Sequence, residues 1–107
     1  MSNKKKILFV DDDSNFLDGL RRMLHRQRVQ WDMHFMASVD EALNAISKTE
    51  YDVIVSDIMM PGKNGFDFLE ALGDLQRIHN VPTFLLTGND EQTLKRRALK
   101  LGATDLL

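Results

Sequence analysis

Apolar and polar positions follow two alternating patterns along this chain. Short, continuous apolar runs predict strands that are covered on both faces. The clearest are Ile7–Val10, Val53–Val55 and Val81–Leu86, with Met33–Ala37 as a weaker candidate and Thr104–Leu107 as the start of a fifth strand. The segments between these runs carry apolar residues three and four positions apart, which is the spacing of amphipathic helices.

Four helices are predicted between the strands. The first runs from Asn15 to about Arg28, with an apolar face formed by Phe16, Leu17, Leu20, Met23 and Leu24. Ser38 and Glu41 have the spacing of a capping box before the second helix. A loop with Pro61, Gly62, Asn64 and Gly65 precedes the third, and the fourth follows Asp90 and Glu91 and ends at Gly102.

Alternating strands and helices predict an α/β fold with a doubly wound parallel sheet and right-handed crossovers. The 107 residues fit one domain, covering 1–107. The net charge of −2 excludes no class firmly but does not suggest nucleic-acid binding. No apolar stretch is long enough to predict a membrane span. The chain has no cysteine and no secretion signal, so we expect a reducing, cytoplasmic location.

Polar residues follow three of the predicted strands. Strand one ends in Asp11-Asp12, strand three in Ser56-Asp57 and strand four in Thr87-Gly88. Open parallel sheets bind ligands at the carboxyl ends of their strands, so neighbouring strands would bring these side chains into one pocket. Three carboxylates without imidazole or thiolate suit Mg²⁺, or Mn²⁺ in its place.

Each of these residues also has a purely structural explanation. Asp13 or Ser14 can cap the first helix, and we favour that explanation for Asp13. Asp11 and Asp12 can be turn acids, and Thr87 can be a helix cap or an ordinary strand end. The joint occurrence of these residues at strand ends, with Asp57 directly after an apolar strand, favours the metal pocket.

Four stretches resemble the receiver domain of two-component response regulators, in order and with the expected spacing. They are Val10–Asp13, Asp57–Gly65, Leu85–Gly88 and Gly102–Asp105. The resemblance covers essentially the whole chain and implies a flavodoxin-like sheet of strand order 2-1-3-4-5. It also implies a regulatory domain that catalyses only its own phosphorylation and dephosphorylation.

The resemblance implies specific roles at the matching positions. Asp57 would accept a phosphoryl group from a sensor histidine kinase or a phosphotransfer protein. Asp12 and Asp57 would bind Mg²⁺ through their side chains, Asp11 through water, and Met59 through its backbone carbonyl. Thr87 would hydrogen-bond the phosphoryl group, and Thr87, Gly88 and Leu106 would form the switch. Met59 and Asn89 would tune the lifetime of the phosphate.

The chain departs from the family pattern at its end. The family lysine after strand five and the last helix are absent, so we expect a domain truncated in strand five whose parent chain continues into an output domain. Leu106 stands where many receivers carry an aromatic residue. Uncovered apolar surface and an exposed sheet edge would favour association, for example as a homodimer.

Two other functions compete with the phosphoacceptor. Haloacid-dehalogenase-type phosphatases carry an Asp-x-Asp-x-Thr/Val motif, which Asp11 to Asn15 nearly match, and Asp11 would then be the nucleophile. A pseudo-receiver, which binds partners without being phosphorylated, is the second alternative. The intact Asp11, Asp12, Asp57 and Thr87 argue against it, whereas the missing lysine favours it.

Overall fold

The computed structural model describes residues 4–60, 62–75, 81–86 and 92–107. Five strands alternate with helices: β1 (Lys5–Val10), α1 (Ser14–Met23), β2 (Trp31–Met36), α2 (Val39–Lys48), β3 (Val53–Asp57), α3 (Gly65–Asp74), β4 (Thr83–Leu86), α4 (Gln92–Lys100) and β5 (Asp105–Leu106). A 3₁₀ helix, His25–Val29, lies between α1 and β2. No helix in these ranges is long and apolar enough to cross a membrane.

All strand pairs are parallel, and the sheet order is β2-β1-β3-β4-β5, which confirms the predicted order 2-1-3-4-5. The fold is the flavodoxin-like α/β architecture. Strand β1 lies between β2 and β3, so its carboxyl end is adjacent to the carboxyl end of β3. The order thus brings the acids after β1 next to the acid that ends β3.

Strand β1 is covered on both faces, as its unbroken apolar sequence predicts. Leu8 and Val10 belong to the main core with α2 and α3, whereas Ile7 and Phe9 pack with Leu17 of α1 on the other face. These four side chains are buried, whereas Lys5 and Lys6 at the start of β1 are exposed. Burial on both faces fixes the position of β1, so the residues that follow it are held at the carboxyl end of the central strands.

The first helix is shorter than predicted, and part of its predicted apolar face is exposed. Residue 24 caps α1, and i→i+3 hydrogen bonds then form the 3₁₀ helix. Over so few residues the period of a 3₁₀ helix and that of an α-helix place apolar residues at nearly the same positions, so the sequence does not distinguish them. The stripe that meets the sheet consists of Leu17, Leu20 and Leu24, while Phe16 and Met23 lie beside it and are 42% and 76% exposed.

The reciprocal capping box lies at α3 and was not predicted there. The Asn64 side chain accepts hydrogen bonds from the backbone N–H groups of Phe66 (2.9 Å) and Asp67 (3.0 Å), and Asp67 accepts from the Asn64 N–H at 2.8 Å. At α2, Ser38 caps the helix by accepting from the Glu41 N–H at 3.1 Å, which is one half of the predicted capping box. The Glu41 side chain accepts from the Ser38 hydroxyl at 3.3 Å instead of forming the reciprocal bond of such a box. Asp90 and Glu91 lie outside the described residues. Gly102 has a φ of 104°, the left-handed conformation expected after a helix end.

Candidate metal and phosphoacceptor site

Two neighbouring strands deliver the acidic residues of the candidate site. Val10 of β1 lies opposite Ser56 of β3. Asp11 and Asp57, the next residue after each, are therefore neighbours at the carboxyl ends of these two strands. The Asp11 N–H donates to the Met36 carbonyl oxygen at 3.1 Å, which ties the end of β1 to β2. The carboxyl ends of β1 and β3 therefore hold these two acids on a rigid part of the sheet.

Asp11, Asp12 and Asp57 form one acidic cluster, with a carboxylate oxygen of each within 4.8 Å of the others. Within the described ranges this is the one group of three or more histidine, cysteine or acidic side chains with that spacing. Asp11 is buried, Asp57 is half-buried and Asp12 is exposed. A set of oxygen donors that is open on one side fits Mg²⁺, which binds a few carboxylates and keeps part of its water shell.

Burial and like charge both disfavour ionisation of Asp11. Removal from solvent raises the pKa of the Asp11 carboxyl, and the charges of Asp57, Asp12 and Asp13 raise it further. A hydrogen bond from the Asp13 N–H to Asp11 Oδ1, 2.9 Å long, acts in the opposite direction. A cation in the cluster would relieve this repulsion, because an opposite charge nearby favours the ionised carboxylate.

Asp57 is in a similar electrostatic environment but has a better hydrogen-bonded carboxylate. Burial raises the pKa of Asp57, the backbone N–H groups of Met59 and Ile58 lower it, and the charge of Asp12 raises it. The net shift is upward. Without a counter-ion, the surroundings of Asp57 therefore make its ionisation less favourable than in water.

The helix after Asp57, α3, approaches the end of β3 very closely. The Gly65 N–H donates to the Ile58 carbonyl oxygen at 2.8 Å. A Cβ on Gly65 would lie 2.8 Å from the Asp57 carbonyl oxygen and 2.9 Å from the Ile58 Cα, both of them backbone atoms. Only glycine permits this approach without a backbone shift, so the start of α3 helps to set the position of Asp57.

The loop between β3 and α3 is also held from outside. Lys63 Nζ lies 2.7 Å from Asp40 Oδ1 in the first turn of α2, and this carboxylate raises the pKa of Lys63. Both side chains are exposed, so the ion pair contributes little stability by itself. It does connect the loop that follows Asp57 to α2. Pro61, in the same loop, lies outside the described residues.

Asp13 is a helix cap, as favoured from the sequence. Its Oδ1 accepts hydrogen bonds from the N–H groups of Asn15 (3.0 Å) and Phe16 (3.2 Å) at the start of α1. Asp13 nevertheless lines the same open cleft as the acidic cluster, which has a volume of about 570 Å³. Its charge acts on Asp11, so the capping residue also contributes to the electrostatics of the site.

Apolar residues form part of the cleft wall, and sequence reasoning did not identify them as site residues. They are Phe16 of α1, Leu86 at the end of β4 and Leu107. Leu86 lies opposite Asp57 in the sheet register. The exposure of Phe16 is evident only from the structure, because its position in the sequence has the spacing of a core residue of an amphipathic helix.

The remaining predicted site residues are only partly described. Met59 is 75% exposed, and Leu106 is half-buried in β5 opposite Leu85 of β4. Leu106 packs against the main core. Thr87, Gly88 and Asn89 lie outside the described residues. Their assigned roles, like those of Met59 and Leu106, therefore stay predictions.

Comparison with known proteins identifies relatives of the whole chain. The family described as the response regulator receiver domain matches residues 7–107. Regulatory protein VanR of Enterococcus faecium is 33% identical over 102 residues, covering 95% of this chain and 42% of VanR. The chain thus spans less than half of the length of this relative.

Solved structures with the same fold include two with clear sequence similarity. The receiver domain of the Francisella response regulator 1452 is 31% identical with a TM-score of 0.86, covering 97% of this chain and 83% of that one. The chemotaxis protein CheY4 of Vibrio cholerae is 30% identical with a TM-score of 0.87, covering 97% of this chain and 85% of that one.

Proposed function

This chain belongs to the family of response regulator receiver domains, and on that premise we propose that Asp57 is its phosphoacceptor. The observation that carries the proposal is the cluster of Asp11, Asp12 and Asp57 at the carboxyl ends of β1 and β3. Asp57 terminates a strand and is half-buried in a cleft open to a partner. A carboxylate in this position can act as a nucleophile.

The donor in this proposal is a phosphohistidine on a sensor histidine kinase or a phosphotransfer protein. An Asp57 carboxylate oxygen attacks phosphorus and forms a P–O bond, while the P–N bond to the imidazole breaks. The bonding electrons return to the imidazole nitrogen of the donor. The product is an aspartyl-phosphate on Asp57 and a free histidine on the partner.

Asp11, Asp12 and Asp57 would hold Mg²⁺ or Mn²⁺, and Met59 would add its backbone carbonyl. A bound divalent cation would neutralise charge that develops on the phosphoryl oxygens during transfer. The support from this chain is the all-oxygen donor set and the upward pKa shifts of Asp11 and Asp57. Burial first, and the neighbouring carboxylates second, oppose ionisation of these acids, and a cation would offset both effects.

The response to phosphorylation would start at the residues after β4. Leu86 contacts the β3 end through its carbonyl, which accepts from the Ile58 N–H at 3.1 Å. Thr87 follows Leu86 in sequence, so we assign it the hydrogen bond to the phosphoryl group. Gly88 and Leu106 would complete the switch, and Met59 and Asn89 would tune the phosphate lifetime. The output domain, the kinase and homodimerisation stay predictions.

Intact mass and peptide mapping after incubation with acetyl phosphate test the proposal. One added phosphoryl group is expected on the peptide with Asp57, dependent on Mg²⁺ and abolished by Asp57→Asn. Asp18→Asn is the matched control, because Asp18 is an exposed acid of α1 outside the cluster. Modification at Asp11 would instead favour the phosphatase alternative. A folded but unmodified protein would favour the pseudo-receiver.

A further inference from the structure

Half of the positive charges of this chain lie at the end of the sheet opposite the acidic cluster. Of the 14 lysines and arginines, seven lie in Lys4–Lys6 and Arg21–Arg28. All seven are exposed. Lys5 lies opposite Trp31 in the register of β1 and β2, so both segments meet at the amino ends of these strands. Strand β1 separates this basic end from Asp11 by roughly 20 Å.

A groove of about 280 Å³ lies within the basic end. Arg21, His25 and Arg28 line it on the helical side, and Trp31, Met33 and Phe35 of β2 line it on the sheet side. The Arg21 guanidinium lies 4.6 Å from the centre of the Phe35 ring, which stacks on Phe9 at 5.1 Å. The groove therefore combines exposed cationic side chains with a packed apolar floor. Arg21 also pairs with Asp18 at 3.1 Å, and Arg28 contacts His25 at 3.0 Å.

The same groove runs beside an open strand edge. Within the described residues, β2 pairs only with β1. The Met36 carbonyl accepts from the Asp11 N–H, so the backbone groups of Met36, His34 and Asp32 face β1. By alternation, the backbone N–H and C=O groups of Trp31, Met33 and Phe35 face the open edge. These three residues also supply the apolar floor of the groove.

We propose that this groove and the adjoining β2 edge bind an acidic, extended segment of a partner protein. The segment would add as a strand to β2, with carboxylates spaced two residues apart directed to Arg21 and Arg28. This docking site, here called the basic edge, is independent of the phosphoryl chemistry at the other end of the sheet.

The open strand edge of β2 favours a peptide over a nucleic acid or an anionic membrane as the occupant. The backbone groups at the β2 edge can form a hydrogen-bonded ladder only with another polypeptide backbone.

The test measures fluorescence anisotropy of a labelled peptide of alternating glutamate and valine, with the whole chain as receptor. Saturable binding below about 1 mM is expected, with weakening at high salt. The double variant Arg21→Gln/Arg28→Gln should raise Kd at least about fivefold. Arg96→Gln/Lys100→Gln removes the same charge from exposed positions of α4 and should change Kd less than about twofold.

Amide hydrogen exchange distinguishes strand addition from charge attraction. Met33 and Phe35 amides should gain protection when the peptide is bound, and a glutamine-for-glutamate peptide should give none. Equal weakening in both double variants, or no peptide binding, would overturn the proposal. Tighter binding of oligo-dT or of phosphatidylserine vesicles would also overturn it. If the Arg21→Gln/Arg28→Gln protein does not fold, Arg28→Gln alone provides the same comparison.

Discussion

Substitution of Gly65 by alanine tests how closely α3 must approach the proposed acceptor strand. The added Cβ would lie 2.8 Å from the Asp57 carbonyl oxygen and 2.9 Å from the Ile58 Cα, whereas ordinary contact begins at 3.4 Å. To relieve the clash, the start of α3 and the end of β3 must move apart by about 0.6 Å, the difference between 3.4 and 2.8 Å. Backbone on both sides of the contact cannot rotate away as a side chain would.

The expected net effect of Gly65→Ala is a loss of about 0–3.5 kcal/mol in the free energy of unfolding. Overpacking of this kind costs about 1–3 kcal/mol. Stretching the Gly65 N–H bond to the Ile58 carbonyl, now 2.8 Å, costs up to about 1 kcal/mol more. Lower backbone entropy of alanine in the unfolded chain offsets about 0.5–1 kcal/mol.

Gly73→Ala is the matched control, because Gly73 lies in the same helix and its Cβ would meet nothing within 4 Å. This variant should gain about 0.5–1 kcal/mol. Urea denaturation followed by circular dichroism measures both changes. Acetyl phosphate labelling should also be slower in Gly65→Ala and unchanged in Gly73→Ala. Equal stability changes of the same sign in the two variants would refute the close-approach argument.

Further predictions concern the acids, a helix cap and the core. Because the pKa values of Asp11 and Asp57 are raised from 3.8, the folded chain keeps protons that the unfolded chain releases. The contribution of these two acids to the stability of the metal-free protein should therefore fall as pH rises above 3.8, and Mg²⁺ at pH 7 should restore it, as thermal melts with and without EDTA would show. Asp57→Asn should raise the metal-free melting temperature and abolish the Mg²⁺ effect; a lower value would contradict the proposed repulsion. Asn64→Ala should cost about 1 kcal/mol in urea denaturation through loss of the cap, and no loss would contradict the capping role. Phe68→Ala, at a fully buried position, should cost about 3–5 kcal/mol by the same measurement, and a loss below 1 kcal/mol would contradict its core position.

Strand β1 and the acids after it were predictable because their signals are local. An apolar run without polar interruption requires cover on both faces, and Ile7–Val10 are all buried. The proximity of Asp11 and Asp57 was predictable because open parallel sheets bind ligands at the carboxyl ends of their strands. The family resemblance added the strand order that makes β1 and β3 neighbours. The α2 helix was similarly clear, because its apolar spacing and the Ser38 cap agree.

The apolar face of α1 was predicted too wide, because the spacing of apolar residues shows which side of a helix is buried but not how many of its positions are. Phe16 and Met23 have the spacing of core residues, yet the sheet contacts only the stripe through Leu17 and Leu20. Similarly, Asn64 was recognised as a loop residue, while its reciprocal bonds with Asp67 depend on backbone angles that composition does not reveal.

The sequence alone determined the chemical character of this protein: which residues are acidic, where strands end, and which motifs resemble a receiver. The tertiary structure decided distances and surfaces between distant segments. It brought Asp11 and Asp57 into one cluster, placed Gly65 against the Asp57 backbone, and gathered Lys4–Lys6 with Arg21–Arg28 at one end. A net charge of −2 conceals that separation, because a sum over the chain carries no positions and electrostatic forces depend on them.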